Sequence, residues 1–244
     1  MRPVLLIRGS GNERDAEALA SLMIPTVSES FTEITQGEKV VADQLLDLLA
    51  SFEGWLILTS RNGLEFWNKL IYPRTLTHVF ASNPKLKFAA IGAGTADALK
   101  SLGVSEILIP LKQSSEGLLE LLSTYPSSTA IMPLGNLAKN VLPEGLRRTG
   151  WEIHTGVVYV NSPVAVAPLA ATGIERGEFS LVIVRSPSAA RALAHFVPTA
   201  RIPLVCGDSS TAETARELGL NVVGCADDPS PESIANLVAR TLEE

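Results

Sequence analysis

Two stretches of the 244-residue chain repeat one another, and that repeat constrains the fold more than any other feature. The first runs from Leu58-Thr59-Ser60-Arg61-Asn62 to Ile91-Gly92-Ala93-Gly94-Thr95-Ala96 and on to Gly103. The second runs from Val184-Arg185-Ser186-Pro187-Ser188 to Cys206-Gly207-Asp208-Ser209-Ser210-Thr211-Ala212 and on to Gly219. Each copy has an apolar run, a small hydroxyl turn and a helical pattern. A second apolar run, a Gly/Ser/Thr turn and a helix closed by glycine follow. A unit of this length met twice predicts two similar α/β lobes facing one ligand. Aligned on Gly92 and Gly207, the second copy carries one extra residue before its threonine.

The rest of the chain keeps the same rhythm of short apolar runs and amphipathic helical patterns. Strands are expected at Val4–Ile7, Thr26–Ser28, Trp55–Leu58, Phe88–Ile91, Glu106–Ile109, Ala130–Met132, Ile153–Val160, Leu181–Val184, Leu204–Cys206 and Val222–Val223. Helices are expected between them. Such alternation predicts parallel sheets covered by helices on both faces. Two segments read as linkers: the polar Phe31–Lys39, and Val160–Pro168 with its two prolines. If both are crossings, residues 1–34 and 164–244 form a discontinuous outer lobe. Residues 39–155 then form an inserted lobe, with linkers near 35–38 and 156–163.

Five turns stand where ligands bind open α/β sheets, beyond the carboxyl ends of strands. They are Thr59–Asn62, Gly92–Thr95, Gln113–Glu116, Ser186–Ser188 and Gly207–Thr211. Helix N-termini present unpaired N–H groups and a partial positive charge, and small residues let a carboxylate or phosphate approach them. The same residue types also serve as plain N-caps, each stabilising by about 1 kcal/mol without a ligand. Both readings stand at this point.

Composition removes several classes. A net charge of −6 argues against a nucleic-acid surface, which needs a basic stripe. No apolar run is long enough to span a bilayer, and the start lacks a signal-peptide pattern, so no membrane partner is expected and the cytoplasm is. His78, His154 and His195 share no motif, and Cys206 and Cys225 have no metal-ligand spacing. No metal is expected, and both cysteines read as small buried hydrophobes. Trp55, Trp67 and Trp151 fall on apolar faces and read as core. Gly92-Ala93-Gly94 is only half of a dinucleotide fingerprint, and neither a P-loop nor a Gly-x-Ser-x-Gly elbow occurs.

In order along the chain, these motifs resemble the uroporphyrinogen-III synthase family. The resemblance rests on Leu6-Ile7-Arg8-Gly9, Leu58–Leu64, Ile91–Gly103, Ser115–Leu119, Leu146–Gly150 and Val158-Tyr159. It continues with Arg185–Ser188, Thr211–Gly219 and Pro229–Ser233. The chain departs from the family's usual Arg-Gly at Leu134-Gly135, ends its second turn-bearing strand in Arg185, and follows Arg8 with Gly9. The resemblance implies a cofactor-free lyase that cyclises hydroxymethylbilane, a linear tetrapyrrole with eight carboxylates, and inverts its terminal ring. It implies a monomer whose two lobes close over the substrate. Positioning then outweighs acid–base catalysis, because the azafulvene intermediate is reactive by itself. Motif matching assigns Ser60, Asn62, Thr95, Ser115, Ser186, Ser188, Ser210 and Thr211 as carboxylate donors. Arg8 is a charge partner, as is Arg61, and Tyr159 is a proton donor to the departing hydroxyl or a packed strand aromatic. The alternatives are a degenerate, non-catalytic tetrapyrrole- or anion-binding module of the same fold, a sugar or amino-acid binding protein, and a regulator.

Overall fold

The computed structural model describes residues 1–8, 11–51, 53–199 and 201–243. The chain folds as two compact units, one of Met1–Glu33 with Ser162–Glu244 and one of Ile34–Asn161.

The first unit is built on β1 (Val4–Leu6), β2 (Thr26–Ser28), β8 (Leu181–Val184), β9 (Leu204–Cys206) and β10 (Val222–Cys225), in the sheet order β10-β9-β8-β1-β2. Every pairing in it is parallel. Helices α1 (Glu13–Ser21), α8 (Leu169–Glu175), α9 (Pro187–Phe196), α10 (Ser209–Glu217) and α11 (Pro231–Glu243) cover it. Strand residues sort by parity, as period-2 geometry requires. Leu5, Ile7, Val182 and Val184 join one core, whereas Val4, Leu6, Leu181 and Ile183 join the core on the other face. Burial on both faces is why these strands read as unbroken apolar runs.

The second unit uses β3 (Thr32–Gln36), β4 (Trp55–Leu58), β5 (Lys87–Ala90), β6 (Thr129–Gly135) and β7 (Glu152–Pro163), in the order β3-β7-β6-β4-β5. Its helices are α2 (Lys39–Ser51), α3 (Arg61–Leu70), α4 (Leu76–Ser82), α5 (Ala93–Lys100), α6 (Ser115–Leu122) and α7 (Val141–Arg148). Leu56 and Leu58 face one core, Trp55 and Ile57 the other. All three tryptophans are buried, and the Trp67 Nε1–H donates to Ala42 O at 2.9 Å.

Three sequence expectations change. The units divide at 33/34 and 161/162, inside the two segments read as linkers, but those segments carry strand as well: β3 lies within Phe31–Lys39 and β7 runs on to Pro163. Four of the five β3 side chains are exposed, so backbone pairing holds the strand and no apolar pattern announces it. Glu106–Ile109 is not a strand: Leu108 makes one isolated bridge to Ala89, and Pro110, which lacks an N–H, follows closely. Helices α4 and α8, at seven residues each, are too short for a clear period.

Cys206 is fully buried, whereas Cys225 is only half-buried. Burial pushes the Cys206 thiol up to about 12. A thiolate-selective reagent at pH 8 therefore labels at most one cysteine in the native protein, and Cys206 reacts only after denaturation. Equal, rapid labelling of both thiols in the native state would contradict this. Among the described residues, no helix is long and apolar enough to cross a membrane.

Candidate functional site

In the second unit β4 pairs in parallel with both β5 and β6. The chain leaves β4 for β5 on one side and leaves β6 for β7 on the other, so the β4–β6 boundary is a topological switch point. Ser60 follows β4 there and caps α3 in extended backbone, its Oγ accepting from the Gly63 N–H at 3.0 Å. The same Oγ lies 3.2 Å from the Tyr159 Oη, and either group can donate. Gly63 lets α3 start against β6: a Cβ there would stand 2.8 Å from Pro133 O.

Tyr159, on β7, is half-buried and lies across Gly135 of β6. A Cβ at Gly135 would stand 2.3 Å from the Tyr159 Cζ and 2.7 Å from its Oη. The Phe66 ring, centred 5.9 Å away, lies nearby. Beside the phenol is a cleft of about 180 Å³ that includes Thr59, Ile91, Ser115, Lys139 and Asn161 in its wall. Thus Tyr159, Ser60 and Ser115, singled out by motif, meet around one edge of one sheet. Gly135, Lys139 and Asn161 were missed, and their signal is spatial.

The neighbouring helix starts are mostly occupied. Ser114, not Ser115, caps α6 and accepts from the Gly117 N–H at 3.1 Å, leaving Ser115 on the cleft wall. Gly92 caps α5 without a side chain, and Gln113 Oε1 fills that role by accepting from the Ala93 N–H at 3.0 Å. Thr95 is buried in the first turn of α5. Asn62 is half-buried in the first turn of α3, while exposed Arg61 donates to Gly94 O from Nε at 3.4 Å and Nη2 at 3.3 Å.

The first unit reproduces this edge. Ser186 caps α9 with φ −158° and ψ 152°, against φ −160° and ψ 152° at Ser60. Its Oγ accepts from the Ala189 N–H at 3.2 Å and lies 3.0 Å from the Ser188 Oγ. Asp208 caps α10, accepting from the Thr211 N–H at 2.8 Å and from the Thr211 hydroxyl at 3.0 Å. Ser210 is half-buried beside it, and Thr211 is fully buried.

The repeat therefore contains no extra residue. Ile91 N donates to Leu58 O and Gly207 N donates to Val184 O, both at 2.9 Å, so Ile91 matches Gly207. Gly92 then matches Asp208, and Thr95 matches Thr211 as the third helical residue of each copy. Alignment on glycine misled because glycine is the cap in one copy and precedes it in the other.

Arg185, matching Thr59, donates from Nη1 to Asp15 Oδ1 at 2.8 Å and from Nη2 to Pro229 O at 2.7 Å. Burial raises the Asp15 carboxyl above its ordinary range, with the Arg185 and Arg8 charges opposing. Arg8 is exposed, and its carbonyl accepts from Asn12 Nδ2 at 2.8 Å. Gly9, the next residue of that motif, lies outside the described residues. Among the described residues no cluster of histidine, cysteine and carboxylate side chains has the makings of a metal site.

Two solved structures share the fold. A mutant uroporphyrinogen III synthase from Thermus thermophilus is 16% identical, with a TM-score of 0.69 and 99% of each chain covered. Uroporphyrinogen-III synthetase from Helicobacter pylori is 17% identical, with a TM-score of 0.67 over 99% of this chain and 100% of that one. The family model described as uroporphyrinogen-III synthase HemD matches residues 13–236, nearly the whole chain, and the chain belongs to the uroporphyrinogen-III synthase family.

Proposed function

We propose that this protein cyclises hydroxymethylbilane to uroporphyrinogen III, inverting the terminal pyrrole ring and releasing one water, with Tyr159 as proton donor. Family membership makes the chain an enzyme of tetrapyrrole biosynthesis with a tetrapyrrole substrate. The observation that carries the residue-level proposal is the Tyr159 phenol, bonded to Ser60 beside a cleft at a switch point.

The phenol's proton goes to the departing hydroxyl, whose carbon–oxygen electron pair leaves with the oxygen as water. The resulting azafulvene cation is attacked within the same molecule through a spiro intermediate. Ring closure releases a proton, which restores the phenol. Ser60, Asn62, Ser115, Ser186, Ser188 and Ser210 hold substrate carboxylates through their hydroxyl or amide groups, with Arg8 as a charged partner. Thr95 and Thr211 are buried, and their N–H groups donate to Gly92 O at 3.1 Å and Asp208 Oδ1 at 2.8 Å, so their part is to shape the helix starts rather than to donate to substrate. Neutral donors of this kind bind anions without adding charge to an acidic protein.

The test is product analysis. Purified protein given hydroxymethylbilane yields predominantly the inverted isomer, faster than the spontaneous reaction. Only the uninverted isomer at the spontaneous rate would leave the degenerate, non-catalytic binding module as the correct alternative.

A further inference from the structure

We propose that Lys139 forms a cationic lip on the Tyr159 cleft that captures substrate carboxylates, an inference that rests on the function proposed above. All seven lysines of the chain lie in the second unit. Three are engaged by ion pairs: Lys39 with Asp43, Lys85 with Glu53 and Lys100 with Asp97. Two more cover aromatic rings, Lys69 over Phe66 and Lys87 over Trp55. Only Lys112 and Lys139 have neither kind of partner among the described residues, and both are exposed.

These two come from separate segments. Lys139 follows β6 and lines the cleft with Tyr159, where it is the one fixed cation of the wall. Lys112 precedes α6 and is pressed against its first turn: a Cβ at Gly117 would stand 2.1 Å from Lys112 O. Both charges act on Glu116, whose carboxyl is lowered first by its own backbone N–H and the Ser114 hydroxyl. Lys139 thus places a positive charge in the cleft wall of a protein with net charge −6. A positive spot on an acidic surface draws an anion to that spot, and salt screens it. The lip therefore acts on capture of the polycarboxylate and not on the proton transfer at Tyr159.

The experiment compares Lys139→Gln, Lys139→Arg and the unaltered protein in steady-state assays at low and high salt. Lys139→Gln raises KM for hydroxymethylbilane about 5-fold at low salt, keeps kcat within about 2-fold, and converges with the unaltered protein near 0.5 M salt. Lys139→Arg keeps the original KM. An unchanged KM in Lys139→Gln at low salt, or an arginine variant as impaired as the glutamine one, overturns the lip. A binding titration with an octacarboxylate porphyrin separates the two levels of inference. If the unaltered protein fails to turn over, the functional proposal falls, and the lip stands or falls on whether Lys139→Gln weakens that binding about 5-fold at low salt.

Discussion

Tyr159→Phe lowers turnover of hydroxymethylbilane by about 100-fold, the lower end of what a positioned general acid contributes. The fraction of uninverted product rises as the spontaneous route competes. Stability changes by less than about 1 kcal/mol, because one net hydrogen bond is lost and no buried partner is orphaned. Ser60 Oγ keeps its bond from the Gly63 N–H, and the ring stays packed beside Phe66. Gly135→Ala is the geometric companion. Its methyl group would stand 2.3 Å from the Tyr159 Cζ, so the ring must leave its place against β6. That variant loses turnover comparably with every catalytic group still present, and it loses some stability as well. The double variant is no slower than the worse single one, since both changes disable the same phenol. Full activity of Tyr159→Phe would remove the phenol from the chemistry. Full activity of Gly135→Ala would show that the observed ring position is not the working one.

The parts of the fold legible in the chain were those buried on two faces. Val4–Leu6, Trp55–Leu58 and Leu181–Val184 announce themselves because every side chain in them is apolar and inside. The Ser60 and Ser186 turns were legible because capping constrains residue type and backbone together. β3 was not, because its stabilisation lies in main-chain pairing that carries no side-chain signature. The contact of Gly135 with Tyr159 was illegible for a different reason. It joins two strands whose alignment shifts between Leu134 and Gly135, so even a correct strand assignment leaves it unseen. Ser114 and Ser115 show the limit at single-residue scale. Adjacent serines are indistinguishable in composition, yet one closes the helix and the other faces the cleft.

Arg185→Met is expected to cost about 3–5 kcal/mol, the penalty for stripping one partner from a buried ion pair. Asp15 is 2% exposed, and its Oδ2 has no hydrogen-bond partner, so Arg185 carries most of what compensates that carboxylate. The pH dependence gives the loss a sign. Burial already raises the Asp15 carboxyl, and Arg185 is the largest influence lowering it. Without the guanidinium the folded-state value rises further while the unfolded value stays ordinary. Between those two values the folded chain holds a proton that the unfolded chain has released, so stability falls as pH rises through the window. Unaltered protein shows the same sign over a narrower window. Chemical denaturation of Arg185→Met should therefore show a midpoint that drops more steeply than in the unaltered protein as pH rises above the ordinary carboxylate range. Asp15→Leu combined with Arg185→Met should recover much of the loss, because an apolar pair leaves no charge stranded. A loss below about 1 kcal/mol, with the pH profile unmoved, would mean that water or a rearranged neighbour compensates Asp15 instead. Such a result would also remove the pair as the tie between α1 and the segment before α11, where Arg185 now bonds both Asp15 and Pro229 O.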